Sequence, residues 1–294
     1  MFNRALLIYN GNAGQADVAR QLQIIAGLLA PAIPELTLLA TEKQGDAERY
    51  CRERGEQVEL LLVLGGDGTV HECVNGLAEL PRPPVVGILP GGTCNDFSRA
   101  LHIPQGLEQA VQTVLQGKTL EVDIGRMGDR YFSNFCGIGL IADTSENINS
   151  ELKGVFGKLS YFLSALQKMR SAESFHYRLE TDDGELEGEA VMILAANGRY
   201  LGTNVLPGSD ELLTDGLLDV FIIREAGLPL LKEVLSHKAS PDWNPENSSI
   251  DYVQTSRLRM VTDEPMKADT DGEMYMETPV ELSVLRGRLT FVTG

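Results

Sequence analysis

A glycine-rich segment near residue 66 has the composition expected of a phosphate-binding loop. An apolar run at 60–64 leads into residues 65–69, where three glycines and Asp67 stand within four positions. A glycine turn between a strand and a helix exposes backbone N–H groups at the helix N-terminus, where phosphate oxygens bind well. An aspartate suits such a cradle when a cation accompanies the phosphate. The segment therefore predicts phosphate binding, with a tight strand-to-helix turn as the simpler alternative.

Two common phosphate motifs do not describe this segment. No Gly-Lys-Ser/Thr follows the glycines, so the segment is not a Walker A loop. His71 stands where the dinucleotide-binding fingerprint would place its third glycine. The loop therefore belongs to another kind of phosphate site.

Further loops of the same kind follow other apolar runs. Pro90-Gly91-Gly92-Thr93 follows the run at 85–89, a turn at 10–14 follows the run at 5–9, and Thr41 follows the run at 36–40. Because the carboxyl ends of parallel strands meet at one edge of a sheet, we expect these loops to line a shared crevice. Three glycine loops after three strands favour a ligand site over coincidence.

Two acidic segments lie further along the chain. Residues 212–220 contain an Asp-Gly pair at 215–216, which predicts a hairpin turn. Residues 269–273 read Asp-Thr-Asp-Gly-Glu, and closely spaced carboxylates suit metal binding or general-base catalysis. An exposed acidic turn is the usual explanation of such a segment.

The elements that must position these loops change character along the chain. The first third alternates strand and helix patterns, which predicts a parallel α/β sheet with crossover helices. We expect strands at 5–9, 36–40, 60–64 and 85–89, and helices at 16–29, 46–54, 70–80 and 107–115.

From residue 121 strand patterns follow one another, which predicts an all-β sandwich or barrel. The predicted strands are 121–126, 130–135, 175–181, 185–196, 217–223, 255–261, 273–276 and 280–286, with one helix near 152–170 and a loop at 242–249. A last strand at 288–292 belongs to either domain. We therefore predict two domains, the first at 1–122 with 286–294 and the second at 123–285.

Composition excludes some classes of function. The 294 residues carry 25 Lys+Arg against 42 Asp+Glu, a net charge of −17, which argues against nucleic-acid binding and against strong adhesion to anionic membranes. The four cysteines form no metal-binding spacing, the chain opens with no signal-peptide pattern, and no apolar run is long enough to cross a bilayer. We expect free thiols and a cytoplasmic location.

The motifs together resemble the diacylglycerol kinase catalytic-domain family, soluble bacterial lipid kinases related to sphingosine and ceramide kinases. The resemblance spans about 1–140, 190–225 and 268–292. It rests on Gly65-Gly66-Asp67-Gly68-Thr69 with Glu72 and Asn75-Gly76, on Pro90-Gly91-Gly92-Thr93-Cys94-Asn95-Asp96-Phe97, on Asn197-Gly198-Arg199-Tyr200 through Asp215-Gly216-Leu217-Leu218-Asp219-Val220, and on Asp271-Gly272-Glu273.

The resemblance implies a fold and a reaction. The α/β domain would be similar to NAD kinase and phosphofructokinase domains, and the second domain would be a β-sandwich that binds the lipid. The enzyme would use ATP and Mg²⁺ to phosphorylate a lipid hydroxyl, with diacylglycerol as the first candidate. Two positions depart from the family pattern, since His71 replaces the usual Asn and Gly11 the usual Pro.

The resemblance also implies roles for individual residues. Glu273 would be the general base, and Asp67 would help to hold the metal and phosphates. A structural Mg²⁺ would bind the Asp215 side chain and the carbonyls of Leu212 and Leu217. The residues expected to contact ATP are Asn10, Gly11, Asn12, Ala13, Gly14, Thr41, Gly66, Asp67, Gly68, Thr69, Val70, His71, Glu72 and Thr93.

Three functions and two roles for one helix stay open. An NAD kinase would explain the first glycine loop but not the second or the Asp-Gly-Glu segment. A non-catalytic nucleotide sensor would explain the glycine loops but not Glu273. The apolar and basic helix at 152–170 would either pack on the β domain or touch a membrane briefly. Partners are a lipid at the membrane surface and, in one arrangement, a second copy of the chain.

Overall fold

The chain folds into two compact units. The computed structural model describes residues 2–11, 15–142, 173–207, 213–224 and 250–294. The predicted helix at 152–170 and the predicted loop at 242–249 lie outside the described residues. One unit comprises Met1–Val122 with Gly287–Gly294, and the other comprises Asp123–Arg286. The second break therefore falls one residue after the boundary drawn from the sequence.

The first unit alternates strands and helices, as the sequence predicts. In chain order its elements are β1 (Arg4–Asn10), α1 (Gln15–Leu29), β2 (Glu35–Thr41), α2 (Asp46–Arg54), a 3₁₀ turn (Gly55–Gln57), β3 (Leu60–Gly65), α3 (Asp67–Leu77), β4 (Val85–Pro90), α4 (Asp96–Ala100) and α5 (Leu107–Gln116).

A parallel sheet forms the centre of this unit, in the order β2-β1-β3-β4. Every residue of β3 is buried, because a central strand of a parallel sheet is covered on both faces. Its apolar run at 60–64 is therefore the sequence signature of that position. Helix α3 begins at Asp67, three residues before the predicted start. The glycine segment consequently forms the first turn of the helix and not a free loop.

The second unit is built of antiparallel strands. In chain order the elements that remain are β5 (Thr119–Met127), β6 (Arg130–Phe132), β7 (Phe135–Gly139), β8 (Phe175–Thr181), β9 (Gly184–Ala190), β10 (Met192–Ala196), β11 (Tyr200–Leu201), β12 (Asn204–Val205), β13 (Leu218–Ile223), β14 (Ile250–Thr255), β15 (Arg257–Thr262), β16 (Lys267–Thr270), β17 (Glu273–Glu277) and β18 (Val280–Val292).

These strands form two packed sheets, which confirms the predicted β-sandwich. One sheet has six strands in the order β14-β13-β10-β7-β16-β17, and the facing sheet contains β15, β8 and β9 beside the first part of β18. The side chains between them form an apolar core that includes Phe132, Ile193, Val220 and Met260. Long strand β18 continues into the first unit, where Phe291 pairs with Val86 of β4.

The structure divides two segments that the sequence predicts as single strands. Residues 130–135 form β6 and β7, with Ser133 and Asn134 between them, and residues 185–196 form β9 and β10, with Val191 between them. The members of each pair lie in different sheets, so each break is where the chain crosses the sandwich. At the second break, apolar residues continue from Ala190 through the buried Val191 into β10, which explains why the pattern alone does not reveal it.

All four cysteines lie within the described residues. Cys51, Cys73, Cys94 and Cys136 are free, as predicted, and all four are buried. None of the helices in the described ranges is long and apolar enough to cross a membrane.

Candidate active site

The two main glycine loops lie side by side in the first unit. Each follows a neighbouring parallel strand, β3 or β4, and the N–H of Gly91 donates to the carbonyl of Gly65 at 2.9 Å. A Cβ added to Gly92 would lie 2.5 Å from the Cα of Gly66, and one added to Gly66 would lie 3.0 Å from the Cα of Gly92. Glycine is required at 66 and 92 because the two backbones touch. The expectation of a shared sheet edge is met for this pair.

Gly68 has a different environment from its neighbours. It lies exposed in the first turn of α3, and an added Cβ would meet no other heavy atom within 4 Å. The N-cap residue of the helix is Gly66, which has no side chain to satisfy the first amide groups. The start of α3 therefore presents backbone N–H groups and the positive end of the helix dipole to an open surface.

Asp67 connects the two loops. Its Oδ1 accepts a hydrogen bond from the N–H of Phe97 at 3.2 Å, at the start of short helix α4. Asn95 precedes that helix in a left-handed conformation, and its Oδ1 accepts from the N–H of Gly92 at 2.9 Å. Thr93 lies between these contacts with its side chain exposed. The loop pair is thus held by its own polar side chains before any ligand binds.

The first glycine loop meets the end of β2. The N–H of Gly11 donates to the carbonyl of Thr41 at 3.0 Å, and the Thr41 hydroxyl donates to the carbonyl of Tyr9 at 3.4 Å. Asn10 is exposed beside them. The structure therefore brings Asn10, Gly11 and Thr41 together, while Asn12, Ala13 and Gly14 lie outside the described residues.

The side chains of three residues predicted to contact the nucleotide instead contact other parts of the first unit. Val70 is buried in the core, and His71 is completely buried, with the Asn75 amide 3.3 Å from its Nε2. The Glu72 carboxylate accepts from the N–H of Ala47 in the first turn of α2, at 3.1 Å. These side chains hold α3 in place within the unit. Thr69, in contrast, is half-buried in the first turn of α3 beside Gly68.

In the second unit, Glu273 follows a tight hairpin turn. Asp271 and Gly272 connect β16 to β17 with φ angles of 52° and 91°, and Glu273 pairs with Thr270 across the hairpin. Asp and Gly are the residues that adopt two successive left-handed conformations most readily, which explains this pair at the turn. Glu273 is half-buried at the beginning of β17.

The segment between β6 and β7 receives contacts from two separate sequence motifs. The Asp271 carboxylate accepts the N–H groups of Ser133, Asn134 and Phe135 at 2.8 to 2.9 Å, and the Ser133 hydroxyl at 3.1 Å. From the other motif, the N–H of Asn197 donates to the carbonyl of Asn134 at 2.8 Å. The Asn197 side chain also donates to the Ser133 carbonyl at 2.9 Å.

Asp215 occupies a turn beside a second carboxylate and beside Arg286, whose guanidinium donates to the Asp215 carbonyl at 3.3 Å. Its Oδ1 accepts the N–H of Leu217 at 2.9 Å, and the buried Asp123 accepts the N–H of Gly216 at 2.6 Å. Burial, and the nearby charge of Asp123, raise the pKa of Asp215 above its usual range, although the Leu217 N–H opposes the shift. Leu212, the third predicted metal ligand, lies outside the described residues.

Asp219 extends this acidic group. Burial raises its pKa to about 6, although the Tyr252 hydroxyl donates a hydrogen bond to its carboxylate. Within the described ranges, no set of three or more His, Cys, Asp or Glu side chains is placed to hold a metal ion. A metal at the Asp215 turn would depend on one carboxylate, backbone carbonyls and water.

Sequence reasoning assigned no role to four residues that organise these sites. They are Asn95 beside the glycine loops, and Asp123, Ser133 and Asn134 in the second unit. The signal for Asn95 was available, because Asn readily adopts the left-handed conformation before a helix. No local pattern marks the other three, because their partners lie 63 to 138 residues away in the chain.

Comparison with known proteins gives the class. Residues 4–127 match the family model described as the diacylglycerol kinase catalytic domain, and residues 136–293 match the YegS C-terminal NAD kinase beta sandwich-like domain. An α/β domain with paired glycine loops followed by this sandwich defines a two-domain kinase of the lipid kinase class.

The relatives agree with both matches. A Staphylococcus aureus strain MSSA476 protein named "Putative lipid kinase SAS0691" is 32% identical over 297 residues, covering 99% of this chain and 97% of that protein. A crystal structure titled as a diacylglycerol kinase from Bacillus anthracis strain Sterne is 38% identical, with a TM-score of 0.88 and coverage of 100% of this chain and 97% of that one. A second structure from that strain has a TM-score of 0.90. The chain belongs to the diacylglycerol kinase catalytic-domain family.

Proposed function

We propose that the protein transfers the γ-phosphoryl group of ATP to a lipid hydroxyl, in a reaction that depends on Mg²⁺, with diacylglycerol as the acceptor. The observation that carries the proposal is the open surface above Gly68. There a helix without a capping side chain meets two glycine loops whose backbones are already packed together. Membership of the lipid kinase family supplies the reaction class.

The glycine loops would hold the phosphates of ATP. Gly66 and Gly68 offer backbone N–H groups at the start of α3, where the N–H of Thr69 already donates to the Gly66 carbonyl at 3.0 Å. Thr93 offers an exposed hydroxyl on the neighbouring loop. These groups bind anions without a net positive charge, so a protein of charge −17 can still bind ATP at this point. Asn10, Gly11 and Thr41 would contact the same nucleotide from the first loop.

Magnesium would bind at two kinds of position. Asp67 stands beside the proposed phosphates and would take part in holding the ion that accompanies them. The turn at Asp215 supplies a carboxylate and the Leu217 carbonyl, hard oxygen donors of the type that Mg²⁺ prefers. A cation there would offset the negative charge that Asp123 and Asp219 add to that turn. The catalytic ion would neutralise charge on the transferred phosphoryl group.

Glu273 would act as the general base. Its carboxylate would take the proton from the lipid hydroxyl while the oxygen forms its bond to the γ-phosphorus and the bond from that phosphorus to the β,γ-bridging oxygen breaks, with ADP as the leaving group. Phosphoryl transfer requires positioning of the reactants and neutralisation of the phosphate charge more than covalent catalysis. One base and one ordered phosphate site therefore suffice.

A lipid acceptor such as diacylglycerol would require the enzyme to work at a membrane surface. Because the chain carries an excess of 17 negative charges, we propose that its contact with an anionic bilayer is brief and limited to a small apolar and basic surface. The segment 152–170 has that composition but lies outside the described residues. A homodimer is compatible with this arrangement, and nucleic acid is not a partner.

A transfer assay with several acceptors tests the proposal. The protein is incubated with Mg²⁺ and ATP labelled at the γ-phosphate, together with detergent micelles of diacylglycerol, phosphatidylglycerol, sphingosine or ceramide, and with NAD as a soluble control. Labelled phosphatidic acid is the expected product. Transfer to NAD alone, or ATP binding without transfer to any acceptor, would refute it.

A further inference from the structure

The Asp271 carboxylate is saturated by donors from one short backbone segment. Oδ2 accepts the N–H of Ser133 at 2.8 Å and its hydroxyl at 3.1 Å, and Oδ1 accepts the N–H groups of Asn134 and Phe135, both at 2.9 Å. A carboxylate has about four acceptor positions, so these four bonds occupy it. Asp271 therefore has little capacity left to bind a metal or a substrate.

The same turn is held at two further points. The N–H of Asp271 donates to the carbonyl of Phe135 at 3.1 Å, so its backbone and side chain contact the same segment. The N–H of Gly272 donates to the buried Asp269 carboxylate at 2.6 Å. On the other side of the segment, the N–H groups of Asn197 and Gly198 both donate to the carbonyl of Asn134 at 2.8 Å. The turn before Glu273 is thus attached to residues 133–135, and this segment is itself held by Asn197 and Gly198.

We propose that Asp271 is the positioning residue for Glu273, which it orients by fixing the β16–β17 turn to residues 133–135 through a fully occupied carboxylate. This inference rests on the proposed function, in which Glu273 takes the lipid proton. Only Gly272 separates Asp271 from Glu273 along the chain, so a movement of the turn changes the position of Glu273 directly. Misplacement of a catalytic group by about 1 Å can reduce a rate about 100-fold.

Asp271→Asn removes the charge but keeps the size and the tolerance for a left-handed backbone. The amide keeps one acceptor oxygen, while its NH₂ group faces N–H donors, so at least two of the four hydrogen bonds are lost. We expect kcat to fall at least about 10-fold while the KM for ATP changes less than about twofold. Measurements are made well below the Tm of the variant, on protein verified as folded by circular dichroism.

A matched control distinguishes an effect on the position of Glu273 from a general loss of protein stability. Asp182, in the β8–β9 turn, accepts the N–H and the hydroxyl of Ser256, both at 2.7 Å, and the hydroxyl of Thr255 at 3.1 Å. All three bonds fall on Oδ2, so an asparagine keeps them on its amide oxygen, and the control is therefore Asp182→Ala, which removes them from another hairpin of the same unit. We expect it to lower the Tm by a comparable amount and to leave kcat unchanged. If both variants lose kcat in proportion to the loss of Tm, the role of Asp271 is only structural and the inference is overturned.

A double mutant tests whether Asp271 acts through Glu273. If it does, Asp271→Asn combined with Glu273→Gln is no slower than Glu273→Gln alone, because the group being positioned is already absent. Additive losses overturn the inference. Normal kcat in Asp271→Asn, when Glu273→Gln is inactive, overturns it and leaves the proposed function standing. Full activity in Glu273→Gln refutes the base assignment itself and the inference with it.

A milder change keeps the test decisive if Asp271→Asn does not fold. Ser133→Ala deletes only the hydroxyl bond to Oδ2 and leaves the three N–H bonds. We expect kcat to fall about two- to fivefold, since one hydrogen bond to a charged group is lost. The decrease disappears when Ser133→Ala is combined with Glu273→Gln. An unchanged kcat in Ser133→Ala, or a decrease that persists in the combination, overturns the inference.

Discussion

Gly68→Ala separates the stability of the glycine loop from its capacity to bind phosphate. Gly68 is exposed in the first turn of α3, with no heavy atom within 4 Å of an added Cβ. Packing within the protein therefore does not explain a glycine there. Alanine is favoured over glycine by up to about 1 kcal/mol in a helix interior, and by less in the first turn. We expect the variant to keep or slightly raise the Tm.

The affinity of Gly68→Ala for ATP should fall, although its Tm is kept or slightly raised. If the phosphates approach the N–H groups at the start of α3, the new methyl group occupies part of their space and displaces them. One hydrogen bond to a charged group contributes about 1.5–3 kcal/mol, so loss of one such bond weakens ATP binding about 10- to 100-fold. Isothermal titration calorimetry with ATP and Mg²⁺ measures this Kd, and differential scanning calorimetry measures the Tm.

Gly27→Ala is the matched control for this experiment. Gly27 lies inside α1, and an added Cβ there also meets nothing within 4 Å. It should be stabilised at least as much as Gly68→Ala, with an unchanged Kd for ATP. An unchanged Kd in Gly68→Ala, with the protein folded, would refute the reasoning that places the phosphates at the start of α3.

Three further predictions follow from particular contacts. Gly92→Ala forces the backbone away from Gly66 and should lower stability by about 1–3 kcal/mol in chemical denaturation, whereas unchanged stability would contradict the loop packing. Asp46 has a pKa lowered to about 2 by the N–H of Glu42 and then by Arg49, so its stabilisation is present above about pH 4 and is lost as the pH falls through 2. Asp46→Asn should therefore lower the Tm more at pH 7 than at pH 2, and a Tm difference independent of pH would refute this. Asp215→Asn should reduce the increase in Tm that Mg²⁺ produces, and an undiminished increase would exclude this turn as a magnesium site.

The broad fold follows from local patterns, because hydrophobic periodicity reports burial directly. The apolar run at 60–64 predicts a strand covered on both faces, and β3 is fully buried. The succession of strand patterns after residue 121 likewise predicts the sandwich. The crossings between its two sheets are less visible, since one falls at only two polar residues, Ser133 and Asn134, and the other at Val191, within a continuous apolar run.

The candidate site was less accessible to sequence reasoning. Motifs identify Gly66, Gly68 and Glu273, but a motif does not say which of its members face a ligand. His71 and Val70 belong to the same motif and are buried, because α3 turns every 3.6 residues and presents them to the core. The partners of Asp271 lie about 136 residues earlier in the chain, so only the folded structure shows how the carboxylate is used.

Replacement of the proposed base tests the central claim most directly. Initial rates of transfer from labelled ATP to diacylglycerol in mixed micelles are compared between the protein and Glu273→Gln, with the Kd for ATP measured on the same samples. We predict that the variant binds ATP normally and turns over at least about 100-fold more slowly, as loss of a general base requires. A variant that binds ATP normally and retains near-normal turnover would contradict the account.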